Sequence, residues 1–421
     1  MLLTSSTICE KTDRMINVIP DRCSSAIGSD AKDASVTFDG VICFGGVDWW
    51  YHNRGHFDLQ MMAQLSRSVP VLYVNSIGMR VPRVDEGRVF ARRLLRKLNS
   101  IRRGFVAEHE RFGVLTPFTA PGKYARSLTR LFVKAQIIAA CKQMNIINPL
   151  IWVACPPAVE IIDELNTVGV VYQRTDRFEA FPGVDIERVL RHDHELKQRA
   201  DLTVFCSRSL SDNESEQCRA AAFIDHGVDY DRFASPGTEP ADLESIAHPR
   251  VGFVGGIDAH TFDPRLFVET ADRLPDVNFV MVGDCSLPGG WCDPSNVHFL
   301  GRKPYEEVCD YMAACDVLIM PWNRGDWIQA CNPVKLKEYL AVGRPVVSTW
   351  FPELDYYEPF IRIANDASEF AEQISDAIES PGIDPGQQER VRNETWTAKA
   401  KLLLEELIKV GLKPQQELSH A

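Results

Sequence analysis

Residues 331–349 read CNPVKLKEYLAVGRPVVST, with a cation at Lys335 and a carboxylate at Glu338 one turn apart on one helical face. Asn332 is a suitable N-cap and Pro333 suits a first helical position. Leu336, Tyr339 and Leu340 recur at helical spacing, so one face packs inward. Gly343 is a natural helix stop, and PVVST follows as a short β-branched strand. The start of such a helix offers free backbone N–H groups and partial positive charge, which can hold a phosphate. Lys335 adds charge there, and Glu338 can accept hydrogen bonds from sugar hydroxyls. The set suits a nucleoside diphosphate and its ribose. The competing reading is a solvated helix with ordinary caps and a surface Lys/Glu pair. The rest of the chain decides between the two.

Those residues need a scaffold, and the chain is long enough for two domains at 421 residues. A 45% apolar fraction supports full cores, and a formal charge of −12 argues against a nucleic-acid partner, which needs basic surface. The twelve cysteines are scattered with no C-x-x-C pair, and several sit in apolar runs. They read as buried small hydrophobes in a reducing cytoplasm, not as a disulfide frame or a zinc site. Residues 1–35 are polar, lack the apolar run of a signal peptide, and read as a mobile N-terminal extension. No apolar stretch is long enough to span a membrane.

Short apolar runs alternate with helical patterns almost throughout. The first half offers VICFGG, PVLYVN, FGVLTP, LIWVAC, VVYQR and LTVFCS, with amphipathic segments at 54–67, 124–144, 157–166 and 186–200. A Pro/Gly/Ser/acidic stretch, SPGTEPADLES, follows. The second half restarts with RVGFVGG, NFVMVGD, VHFLG, DVLIMP, PVVST and FIRIA. This alternation predicts α/β architecture: two Rossmann-like domains with parallel sheets, facing each other across a cleft at the strand ends. The boundaries read as 36–234 for the first domain, 235–248 for a linker and 249–385 for the second. Residues 386–421 form a C-terminal helix, about 387–411, that crosses back to the first domain. Both halves open with a strand running into glycines, Val41–Gly46 and Val251–Gly256, where backbone can approach a ligand closely.

The second half resembles the GT-B glycosyltransferases, in particular the bacterial family 4 type that builds cell-surface polysaccharide. The matching pieces occur in the family's order over about residues 200–350: ADLTVFCS, HGVDYDRF, VGFVGGID, FVMVGD, VHFLGRKPYEEVCDYMAACDVLIMP and NPVKLKEYLAVGRPVV. In the first half, DWWYHNRGHFDLQMMAQLSR followed by VLYVN looks like the acceptor-side loop, helix and second strand. There is one departure. Many retaining members carry a Glu before the equivalent of Glu338 that contacts the donor sugar; here the region reads WIQACNP, with Ala330 at the expected place. Sugar contact and stereochemistry therefore stay open. The N-P-x-K-x-x-E pattern is similar to that of teichuronic-acid and xanthan-type transferases.

The resemblance implies a nucleotide-diphosphate sugar donor, a UDP-sugar being favoured, and no cofactor. Enzymes of this fold usually stabilise the leaving diphosphate with helix termini and basic side chains instead of a metal. No convincing D-x-D is present, since Asp229-Tyr230-Asp231 lies in the interdomain turn. Lys335, the amides after Asn332 and Arg302 would hold the diphosphate, Glu338 the ribose, and Gly255 and Gly256 would let backbone approach the phosphates. A base from the first domain must take the acceptor's proton. Asp176, just past VVYQR, is the leading candidate, against the reading of a turn aspartate paired to Arg174 and Arg177. Asp48 and His56, in the loop after the first strand, are rivals. Trp49, Trp50 and Tyr51 could stack on sugar or lipid, or be core.

Between Arg80 and Arg103 stand nine Lys/Arg against Asp85 and Glu86. Phe90, Leu94, Leu98 and Ile101 share one helical face, with Arg92, Arg93, Arg96, Lys97 and Arg103 largely on the other. This basic amphipathic segment suits an anionic membrane surface, and a solvated helix packed on its domain is the alternative. The resulting expectation is a peripheral protein on the inner face of the cytoplasmic membrane, with a lipid-linked glycan acceptor. Two rivals stand beside it. A nucleotide-sugar epimerase of the same fold needs no acceptor, and a non-catalytic glycan- or nucleotide-binding subunit would show no turnover.

Overall fold

β-branched, apolar runs dominate the strands, and covering them on both faces requires helices on both sides. The computed structural model describes residues 35–52, 55–77, 95, 98–118, 126–380 and 382–415. The extension expected at 1–35, save its last residue, and the cations Arg92, Arg93, Arg96 and Lys97 lie outside the described residues.

In the first half the strands are β1 (Val36–Phe38), β2 (Gly40–Phe44), β3 (Val71–Val74), β4 (Phe105–His109), β5 (Phe112–Leu115), β6 (Pro149–Val153), β7 (Gly169–Arg174), β8 (Leu202–Phe205) and β9 (Ala221–Phe223). Eight of them form one sheet in the order β4-β5-β3-β2-β6-β7-β8-β9, parallel except for the β4–β5 pair. Its longer helices are α1 (Phe57–Leu65), α2 (Arg126–Gln143) and α3 (Ile186–Arg199).

The second half holds β10 (Arg250–Val254), β11 (Asn278–Val282), β12 (Val297–Gly301), β13 (Val317–Met320), β14 (Val346–Thr349) and β15 (Ile361–Ala364). They make an all-parallel sheet in the order β12-β11-β10-β13-β14-β15. Its longer helices are α4 (Pro264–Arg273), α5 (Val334–Val342) and α6 (Ala367–Glu379). In both sheets the order reverses direction beside the first strand, which leaves a crevice at the strand ends.

The stretch between the sheets is anchored, not loose. Leu243 and Ile246 are buried in the second half's core, and Arg250 donates to the carbonyls of both, at 2.9 and 2.6 Å. The chain then ends on the first half. The long C-terminal helix is divided: a short turn of helix, Pro385–Val391, stops before Thr395, whose side chain caps α7 (Trp396–Lys409). Trp396, Leu403 and Leu407 enter the first half's core beside Phe57, and β16 (Leu412–Pro414) pairs with β1.

A buried ionic cluster joins these parts. Lys337 of α5 reaches Asp225 at 2.6 Å, the His226 carbonyl at 2.6 Å and Glu394 at 3.1 Å. Lys399 of α7 pairs with the same two carboxylates. Each buried charge is thus met by opposite charge and hydrogen bonds, as burial requires.

Candidate functional site

The carboxyl-end loops of both sheets enclose a cavity of about 500 Å³. From the first half it takes Gly46, His56, Gln173, Asp176, Phe181 and His226; from the second come Gly255, Gly256, Trp322, Asn332, Lys335 and Glu338. Seven of the residues singled out by sequence therefore share one chamber: His56, Asp176, Gly255, Gly256, Asn332, Lys335 and Glu338.

The second-half wall is built on two glycines. Gly255, after β10, has φ +156°, and a Cβ there would stand 2.2 Å from Lys335 Nζ. Gly283, after β11, has φ +147°, and its Cβ would stand 1.8 Å from the Gly255 carbonyl oxygen. Only glycine permits these approaches, so the two loops and the Lys335 side chain lie against one another. The Val254 amide donates to Tyr339 Oη at 2.9 Å, fixing the end of β10 to α5.

Helix α5 begins at Val334, with Pro333 as its N-cap and no side chain capping it. The expected cap, Asn332, is used differently. It is buried, and its Nδ2 donates to the Cys206 carbonyl at 2.9 Å, in the opposite half. Among the described residues the first-turn amides of α5 have no side-chain cap at the cavity wall, an arrangement that can meet an anion. At the far end Gly343, with φ +81°, stops the helix as its sequence implied.

Lys335 Nζ lies 4.5 Å from the Phe253 ring centre and 5.3 Å from that of Trp322. Burial lowers its pKa to about 8, with Glu338 pulling the other way. It remains mainly cationic at neutral pH, and among the described residues no carboxylate forms an ion pair with it. Glu338 is buried and accepts from Tyr305 Oη at 3.2 Å. Burial raises it to about 7, opposed by the Tyr305 hydrogen bond and by Lys335. A partly desolvated cation and a carboxylate one turn along can meet a diphosphate and a hydroxyl-bearing ring.

Across the cavity, Asp176 follows β7. Its two neighbouring cations are engaged elsewhere. Arg174 is buried against Glu214 at 3.0 Å, Glu179 at 3.1 Å and Asp193 at 3.3 Å. Arg177 approaches Glu179 at 3.9 Å and donates to the Asp326 carbonyl at 3.5 Å. Among the described residues the Asp176 carboxylate has no ion pair or hydrogen bond. Burial raises its pKa to about 7, Arg174 opposing. A carboxylate of that kind, facing a cavity, can take a proton near neutral pH.

His56 precedes α1 and opens onto the same space, where the enclosing walls lower its pKa and Asp58 raises it. Asp58 itself is structural: it accepts from the Gly46 amide at 2.8 Å and from Tyr73 Oη at 2.8 Å, setting the loop after β2.

Other expected site residues fall outside the cavity. Asp48 accepts from the Trp50 amide at 3.0 Å and from Ser100 Oγ at 2.9 Å, so it orders its own loop. Trp49 is core, packed on Phe112 and Tyr73 with ring centres 4.6 and 5.6 Å apart, and burial removes it from any acceptor surface. Trp50 donates to Thr116 Oγ1 at 3.2 Å and carries Arg103 over its ring at 4.3 Å. Arg302 spans the two halves, donating to the Tyr51 carbonyl at 2.7 Å, and does not line the cavity.

Sequence reasoning missed several lining residues. His226 is buried, its Nδ1 has no hydrogen-bond partner among the described residues, and burial together with Lys337 holds its pKa at about 3. Phe178, Phe181, Trp322 and Trp327 form an aromatic wall drawn from both halves. For His226 the available signal was its place at the head of HGVDYDRF; for the aromatics it was position alone, each following the carboxyl end of a strand. Among the described residues no group of three or more His, Cys, Asp and Glu is placed to hold a metal, and Asp229 is paired with Arg232 at 2.8 Å.

Comparison with known proteins narrows the reading. Residues 248–380 match the family model for glycosyl transferases group 1. TuaH of Bacillus subtilis (strain 168), named as a teichuronic acid biosynthesis glycosyltransferase, is 32% identical over 169 residues. That match covers 37% of this chain and 42% of the relative, less than half its length. Among solved structures, sucrose-phosphate synthase from Thermosynechococcus elongatus superposes with TM-score 0.63 at 15% identity, over 88% of this chain and 98% of that one. Anabaena HepE in complex with UDP and glucose gives TM-score 0.60 at 16% identity, over 88% and 99%. A UDP-forming α,α-trehalose-phosphate synthase from Burkholderia vietnamiensis gives 0.59 at 14% identity, over 89% and 99%. At such identities these structures speak to the fold, which is GT-B.

Proposed function

We propose that this chain, which carries a glycosyl transferases group 1 domain over residues 248–380 on a GT-B fold, moves a sugar from a nucleotide-diphosphate donor to a glycan. One observation carries the reading. Lys335 and Glu338 face Asp176 across a single cavity, the first pair from the second half and the carboxylate from the first.

The uncapped start of α5 and Lys335 bind the diphosphate and stabilise the charge that develops on it as the anomeric bond breaks. Glu338 accepts from the ribose hydroxyls. Gly255 and Gly256 let the phosphates approach backbone. Asp176 removes the acceptor hydroxyl's proton, with His56 nearby in the same cavity. Enclosure between the halves limits water, which would otherwise compete with the acceptor. A UDP-sugar is the favoured donor, in keeping with the UDP named in the complexes and reactions of two structural neighbours. The acceptor is a lipid-linked glycan of surface polysaccharide biosynthesis, met at the inner face of the cytoplasmic membrane, in keeping with the process named for the Bacillus relative.

The test is UDP release from a panel of UDP-sugars with a lipid-linked glycan fraction as acceptor. Release that needs the acceptor and is lost in Asp176→Asn supports transfer. Conversion of the donor sugar without acceptor indicates an epimerase instead, and nucleotide binding with no turnover indicates a binding subunit.

A further inference from the structure

Helix α2 covers one face of the first-half sheet, and only one side of the helix is used for that. Val133, Ile137 and Ala140 are buried in the core. The opposite side carries Leu131, Phe132, Ala135, Ile138 and Ala139, all exposed. Leu131 is 58% exposed, Phe132 55% and Ile138 41%. Spacings of three and four place these residues in one row along the helix. A surface helix of a globular protein ordinarily turns polar residues to water, so an apolar outer row is a contact surface in search of its partner.

Charge identifies the partner. Residues 80–159 hold 15 Lys/Arg and 4 Asp/Glu, a formal +11 in a chain of −12 overall. Within α2 there are four basic residues and no acid. Lys142, exposed, closes the apolar row, while Arg130 and Lys134 flank it and share Glu164 at 3.3 and 3.4 Å. Phe118, also exposed, is held beside the helix by a hydrogen bond from its amide to Gln136 Oε1 at 3.1 Å. Leu98 and Arg102 are exposed on the helical stretch 98–103 of the same half. An apolar row bordered by cations, in an otherwise acidic chain, is complementary to an anionic lipid surface: aliphatic groups enter the interface and cations meet the headgroups.

We propose that the outer face of α2, with Leu131, Phe132 and Ile138 as its apolar anchors, docks this protein on an anionic bilayer. The α2 helix follows β5, which runs parallel to β3, so β5 points its carboxyl end toward the same edge of the sheet whose loops line the cavity. The proposal deepens the lipid-linked-acceptor reading and rests on it for its purpose, but not for its test.

The full chain is sedimented with vesicles of phosphatidylglycerol and phosphatidylcholine, and separately with phosphatidylcholine alone. Leu131→Gln/Phe132→Gln/Ile138→Gln, all surface changes, is expected to lower binding to the anionic vesicles by at least about tenfold. The same triple variant is expected to keep the unmodified protein's UDP-induced thermal shift, which reads the donor site separately. Unchanged vesicle binding in the triple variant, or no binding by the unmodified protein, overturns the proposal. So does sedimentation velocity showing a dimer that the triple variant dissociates, since the face would then belong to a second copy.

Discussion

Asn332 gives an Nδ2 hydrogen to the carbonyl oxygen of Cys206 at 2.9 Å, so the residue just before the N-cap of α5 is fastened to the opposite half. Both groups are buried. Asn332→Ala leaves that carbonyl without its donor, a loss of roughly 1–3 kcal/mol. Thermal unfolding is expected to fall accordingly, and nucleotide affinity with it, because Lys335 is three residues further on. An unchanged melting temperature would show that the contact contributes nothing in solution.

Asp176 has a folded-state pKa of about 7, against an ordinary value of 3.8. Between those values the folded protein holds a proton that the unfolded chain has released, so this group's contribution to stability falls as pH rises through that window. Asp176→Asn removes the desolvated charge and is expected to stabilise the fold above pH 7 by on the order of 1–2 kcal/mol, less than the full shift because the carboxyl is partly open to water. Transfer should be abolished, while the unmodified enzyme loses kcat/KM as pH drops below about 7 and the base becomes protonated. Melting temperature and turnover across pH for both proteins check the two halves of this prediction. A variant less stable than the parent at alkaline pH would contradict it.

Gly255 leaves room for Lys335 and no more. A Cβ would stand 2.2 Å from the ammonium nitrogen at a φ of +156°. Gly255→Ala is expected to displace Lys335 and weaken nucleotide binding roughly tenfold, the backbone strain also costing about 1 kcal/mol or more in stability. Isothermal titration with UDP measures the first effect and thermal unfolding the second.

The cluster of Asp225, Lys337, Glu394 and Lys399 offers a separate test of how the halves are joined. Lys337→Met strands buried negative charge and should destabilise the fold by about 3–5 kcal/mol. Lys337→Met/Asp225→Asn should recover part of that loss, because the second change removes one uncompensated carboxylate. Equal denaturation midpoints for the single and double variants would mean that the two groups are not coupled.

Much of the framework was legible from β-branched runs. VICFGG, PVLYVN, LIWVAC and the six runs of the second half all became strands; the central ones are buried on both faces and so are apolar throughout. β4 and β9 were not seen, being an edge strand of mixed polarity and a strand of three residues. The Lys335–Glu338 spacing survived because helix geometry alone fixes it. What failed was chemistry set by partners distant in sequence. Asn332 looked like a cap but found Cys206, and Trp49, open between platform and core, was settled as core only by Tyr73 and Phe112. His226 heads the HGVDYDRF motif, yet its place in the cavity depends on how two sheets meet and could not be read from the motif itself.

The most direct test of the central claim is UDP binding measured by isothermal titration for the unmodified protein and for Lys335→Ala. The unmodified protein is expected to bind UDP, and the variant to lose roughly tenfold or more in affinity as a charge-assisted phosphate contact disappears. Equal affinity in the two proteins would contradict the assignment of this cavity to a nucleotide diphosphate.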